Sequence, residues 1–193
     1  MNSERLAKII SAVLHPFILL IPVLLAAIYA SKLNLQSSLY FFAISVMLYF
    51  LIPFVSFWYL VKRGKISSFE HEKREERPAI YALITACWLA AAFVLYVLNA
   101  PKQMLFLILA SAIVGVALTL ITLRWKISIH AAFFTVFMLW AILVFGWIAA
   151  WLIIPLLLTV WARQKLKYHT MSQLLAGIFL STIVTWLVNW VLK

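Results

Sequence analysis

Apolar residues in this chain come in runs of about twenty or more, separated by short polar turns. The runs 9–30, 39–61, 79–98, 104–123 and 171–191 each match the roughly 20 residues that carry a helix across a bilayer. In lipid every backbone N–H and C=O must be satisfied within its own segment, so such a chain folds as a helical bundle. A sixth run, 127–162, is about 36 residues long. That is too long for one crossing and enough for two short ones, with Gly146 as the natural hinge. The reading is therefore an all-α, polytopic transmembrane helical bundle of about seven spans, six being possible. It forms one integral membrane domain over 1–193. The first run is too long for a signal-peptide core and lacks a small-residue cleavage site, so it reads as a true span.

Composition agrees: 67% of residues are hydrophobic and 11% charged, with mean hydropathy +1.09. A soluble domain carries about a quarter charged residues. The 16 Lys and Arg face five acidic residues, all of them Glu. That excess lies in short loops between apolar runs, which marks loop topology rather than nucleic-acid binding. With seven spans, thirteen basic residues fall on one face (the N-terminus and loops 62–78, 124–128 and 162–169) and three on the other, Lys32, Lys102 and Lys193. The positive-inside bias makes the first face cytoplasmic. Trp58, Trp125 and Trp161 near one interface, and Trp147, Trp186 and Trp190 near the other, suit an aromatic belt. Cys87 alone supports neither a disulfide nor a zinc framework. The absence of Asp excludes sites built on paired aspartates, including Asp-rich magnesium motifs.

Three polar clusters fall on the basic face, each at the membrane end of an apolar run: residues 72–78, residues 126–130, and Arg163 with His169, Thr170 and Gln173. Together they supply arginines, a lysine, a hydroxyl and two imidazoles, which suits an anionic phosphate ester. Arginine forks match phosphate oxygens, and histidine attacks phosphorus or moves protons near neutral pH. Arg74 and Arg77 share a face if their segment is helical, with Pro78 in the first turn of the next span. Ser128 can cap the helix that carries His130. Gln173, four residues after His169, can fix that ring's tautomer. Arg163 and His169 converge only if the chain turns between them. Taken singly, loop-end Arg and Lys read as topology residues, His71 as a solvated loop residue, and His15-Pro16 with Pro22 as a kink rather than a ligand site.

These clusters resemble the type 2 phosphatidic acid phosphatase (PAP2) family, whose fold is shared with vanadium haloperoxidases. Arg77-Pro78 matches its Arg-Pro, Ser128-Ile129-His130 its Ser-Gly-His, and Arg163-x5-His169 its third motif. No Lys stands six residues before Arg77; Arg74 is the candidate substitute. Lys126 is a further phosphate ligand. Ile127 replaces the motif's Pro, Ile129 its Gly, Ala162 its Ser, and Gln173 its Asp. His15-Pro16 and His169-Thr170 fit a divergent bacterial branch. The resemblance implies a PAP2-like core and a lipid phosphatase in the bacterial cytoplasmic membrane. Its partners would be the bilayer and a phosphatidate-like or prenyl diphosphate substrate. It would use neither metal nor cofactor. His169 would be the nucleophile, His130 the acid, and Arg163, Arg77, Arg74, Lys126 and Ser128 the phosphate cradle, with Gln173 orienting His169. The alternatives are a lipid-phosphate binding or translocating protein without turnover, and a multi-span structural protein whose basic loops set topology. Transfer to an alcohol instead of water also remains open.

Overall fold

The structure, a computed structural model, describes residues 2–65 and 77–193, with Arg77 represented by its backbone. Among the described residues every regular element is helical: α1 (Ser3–Val13), α2 (Pro16–Ala30), α3 (Leu35–Ser45), a π segment (Val46–Leu51), α4 (Ile52–Lys62), α5 (Arg77–Val97), α6 (Lys102–Thr122), α7 (Ile129–Phe145), a 3-10 segment (Gly146–Leu152), α8 (Ile153–Lys165) and α9 (Met171–Val191).

The first expected span is not one helix; α1 and α2 meet at a bend of 45°. The cause is local. A residue before proline is pushed out of the helical region, and His15 sits at φ −66°, ψ 133°. Pro16 then takes the first helical position, where its missing N–H costs nothing. The His15 ring caps the new helix, its Nδ1 accepting from the Phe17 N–H at 3.2 Å. The helix before the bend, α1, is amphipathic: Ala7 and Ser11 are buried four residues apart, while Glu4 and Lys8 pair on the exposed side at 3.1 Å. Pro53 is absorbed differently. The wide π turns just before it let Leu35–Lys62 run on for 28 residues, since proline removes a hydrogen bond and crowds the preceding turn.

At the centre lie α6 and α7, buried on most sides. Trp88 is pinned by its indole N–H to the Tyr49 carbonyl at 2.9 Å, and Trp140 to the Gln103 carbonyl at 2.9 Å. The outer faces stay apolar, with Phe93, Leu120 and Phe179 all more than 60% exposed. In water such a surface would aggregate; this is a membrane protein. The six tryptophans of the expected belt are all on the exposed surface. By length and composition five helical stretches of the described residues suffice to cross a membrane, or six with the bent α1–α2 pair.

One of the five, Ile129–Lys165, folds back on itself. Drawn straight, 37 residues would reach about 55 Å, and the eight residues from Lys165 to Gln173 span at most about 28 Å. Yet the Ser128 N–H donates to the Gln173 carbonyl at 3.3 Å. The reversal falls at Gly146, at φ 77° and ψ −163°, a conformation that belongs essentially to glycine. The hinge expected from sequence is the hinge observed.

Candidate functional site

The fold-back brings three helix ends to one end of the bundle. Ser128 caps α7, its Oγ accepting from the Ala131 N–H at 3.3 Å. It is fully buried, and His130, in the first turn of the helix, is 4% exposed. A helix start holds N–H groups without intrahelical partners and the positive end of the dipole. Both favour an anion there.

Arg163 lies in the last turn of α8. That helix closes in a left-handed turn: Lys167 has φ 57°, its N–H donates to the Gln164 carbonyl, and the Tyr168 N–H donates to the Arg163 carbonyl at 3.1 Å. This Schellman arrangement usually sets a hydrophobic contact across the turn. Here the guanidinium sits 4.5 Å over the Tyr168 ring, a cation–π contact of the kind arginine makes best. Arg163 Nη1 also donates to Ser11 Oγ at 2.9 Å, tying α8 to α1. A charged residue 5% exposed is thus held in one orientation from two sides.

The same turn delivers His169 to the start of α9. Thr170 caps that helix, and Gln173 completes a reciprocal capping box. The Gln173 Oε1 lies 3.2 Å from the Thr170 N–H and 3.2 Å from His169 Nδ1. A backbone N–H only donates, so the amide must present oxygen at that point. His169 Nδ1 must then be the protonated nitrogen, and the neutral ring carries its lone pair on Nε2. Gln173 thus stands within hydrogen-bond reach of His169, four residues away.

The two histidine-bearing helices meet without clearance. A Cβ on Gly177 would lie 2.9 Å from the Ser128 carbonyl oxygen and 3.4 Å from the Ala132 nitrogen. Glycine there lets α9 reach the first turn of α7, a close backbone approach that no other residue permits.

His15, read from sequence as a kink, belongs to this cluster. Its ring stands edge-on to His130, centroids 4.7 Å apart at 89°. Sequence reasoning also passed over Ser11. The available signals were the helix-ending X-Pro pair beside a polar ring, and a serine four residues from Ala7 on the buried stripe of an amphipathic helix. Lys126 is half-buried on the turn that leads into α7. Arg74 and the Arg77 side chain, including their expected common face, lie outside the described residues; Pro78 does occupy the first turn of α5. No protein-family model, no curated protein and no solved structure matches the chain.

Proposed function

We propose that the chain is an integral membrane lipid phosphatase of PAP2-like type that hydrolyses phosphate monoester or diphosphate headgroups. The observation that carries this reading is the oriented His169. Its Nδ1 pairs with Gln173, which puts the lone pair of the neutral ring on Nε2, at the end of the bundle where a helix start and a buried arginine favour an anion.

In the proposed cycle His169 Nε2 forms a bond to phosphorus as the bond to the lipid oxygen breaks. His130 gives that oxygen its proton. Water then attacks phosphorus, breaks the N–P bond and releases inorganic phosphate; the proton it gives up restores His130. Arg163, Arg77, Arg74 and Lys126 hold the phosphoryl oxygens, with Ser128 and the first turn of α7 completing the cradle. Charge stabilisation and positioning supply the acceleration, with no metal or cofactor taking part. In this reading Ile129–Lys165 crosses twice, which gives seven spans, and the site lies at the face of a bacterial cytoplasmic membrane that carries the basic loops.

One observation favours a second reading, a lipid-phosphate binding or translocating protein. Gln173 orients His169 without the negative charge that would stabilise an imidazolium. The two separate on phosphate release by purified protein in EDTA, using phosphatidate, phosphatidylglycerophosphate and prenyl diphosphates with His169→Ala alongside. Release that survives EDTA and falls to background in His169→Ala is the expected result. Folded protein that binds these lipids without release would establish the second reading. Release unchanged in His169→Ala would sink the phosphohistidine mechanism, and an added alcohol acceptor would expose transfer to a hydroxyl.

A further inference from the structure

Beside the histidine cluster, α2, α5, α6 and α7 line a narrow cavity whose walls include His15, Ile84, Thr85, Trp88, Gly115 and Phe133. The surface it presents is almost wholly apolar. Water does not fill an apolar void of this kind, and an empty one forfeits packing on every wall.

Three features give it a place, a depth and a floor. His15 forms one wall and also touches His130, so the cavity comes within one imidazole of the proposed acid. From Tyr81, among the lining residues nearest that end, to Trp88 is seven residues of α5, about 10 Å along the helix. At the bottom Trp88 is held by its bond to the Tyr49 carbonyl, with Phe133 edge-on at 4.8 Å. Opposite Thr85 the α6 wall is Gly115, where a Cβ would sit 2.6 Å from Thr85 Oγ1.

We infer that this cavity holds the hydrocarbon chain of the phosphate ester where it leaves the headgroup, and that the ester is a single-chain alkyl or prenyl phosphate rather than a diacyl one. The inference rests on the His130–His169 cluster being the phosphate site. An extended chain advances about 1.2 Å per bond, so 10 Å takes about eight carbons. A diacylglycerol branches next to its phosphate and would bring two ester carbonyls into a mouth lined by apolar groups. Buried carbonyls without donors are costly, which excludes the branched ester.

The test is calorimetric titration of the full chain in detergent with alkyl and prenyl phosphonates of two to twelve carbons, whose C–P bond cannot be hydrolysed. Dihexanoyl phosphatidate is compared in the catalytically silent His169→Ala protein. Ile84→Phe narrows the cavity and Ile84→Ala enlarges it. The expected result is a Kd that falls by up to about four-fold per methylene and levels off near eight carbons. The plateau should come earlier in Ile84→Phe and later in Ile84→Ala, and the diacyl ester should bind no better than a butyl chain. A Kd indifferent to chain length, a plateau unmoved in both variants, or diacyl binding as tight as octyl would overturn the inference. Chain-length-dependent binding without phosphate release from any lipid would keep the cavity's role and refute hydrolysis. Release at equal efficiency from every chain length, in the parent and both variants, would do the reverse.

Discussion

Among the described residues one end of the bundle buries charged and imidazole side chains, and the other end buries none. At the end that carries the histidines, Ser11, Ser128, His130, Arg163 and His169 are all at most 6% exposed. At the other end Lys32, Asn34, Lys102 and Lys193 are exposed, and their contacts are of the surface kind. Lys102 Nζ reaches the Lys193 carbonyl at 3.2 Å, and Asn34 caps α3 through the Ser37 N–H at 2.8 Å. Water satisfies the second end. The first must satisfy itself, because a buried charge or ring nitrogen is costly unless partners are built around it. A protein accepts that cost where the groups are used, so burial of polar residues, more than their number, marks the working end.

The sharpest way to break this contrast is at Gly177. Gly177→Ala drives a methyl into the Ser128 carbonyl and must push α9 off α7. It should cost about 1–3 kcal/mol and take phosphate release down with it. Asn189→Ala, half-buried on the same helix at the opposite end, should stay within about 0.5 kcal/mol. Unfolding midpoints in a fixed detergent compare the two, and equal losses would remove the contrast. Gly146→Ala comes next. Its backbone conformation is closed to side chains at a cost of about 1–3 kcal/mol. Because nothing lies within 4 Å of the missing Cβ, the damage should come from strain alone, and it should weaken the hairpin that carries Arg163 and His169 back to Ser128.

Gln173→Leu sharpens the comparison inside the working end. It removes the acceptor for both Thr170 and His169, so about 1 kcal/mol of capping is lost. The larger effect should be on turnover, since Nδ1 and Nε2 can then exchange the proton. Nitrogen-15 shifts of the His169 ring read the tautomer directly, and an unchanged Nδ1–H population would contradict the orienting role. The smallest effect is expected at the helix-ending turns. Lys167 and Asn99 close α8 and α5 with φ 57° and 53°, at opposite ends of the bundle. Glycine relieves the left-handed strain of a lysine by up to about 1 kcal/mol and of an asparagine by less. Lys167→Gly should therefore stabilise more than Asn99→Gly.

Much of this was legible along the chain. The helices follow the apolar runs because lipid leaves the backbone no other partner, and α9 occupies the very residues of the last run. Gly146 was readable as the hinge because a run too long for one crossing held a single glycine. The Ser128 cap and the His169–Gln173 pair were readable because both are local, at spacings of three and four residues.

What no local rule supplied was the company these residues keep. His15 looked like half of a proline kink, yet the bend that Pro16 imposes turns its ring onto a histidine 115 positions away. Ser11, passed over in the sequence, is Arg163's partner from the other end of the chain. The sequence by itself determined a membrane bundle, its helices, its hinge and the capped helix starts, because those follow from hydropathy and short-range hydrogen bonding. The tertiary structure decided which helix ends share a site and that an apolar cavity opens beside it. The first depends on how closely α9 approaches α7, and the missing side chain of one glycine, Gly177, sets that distance.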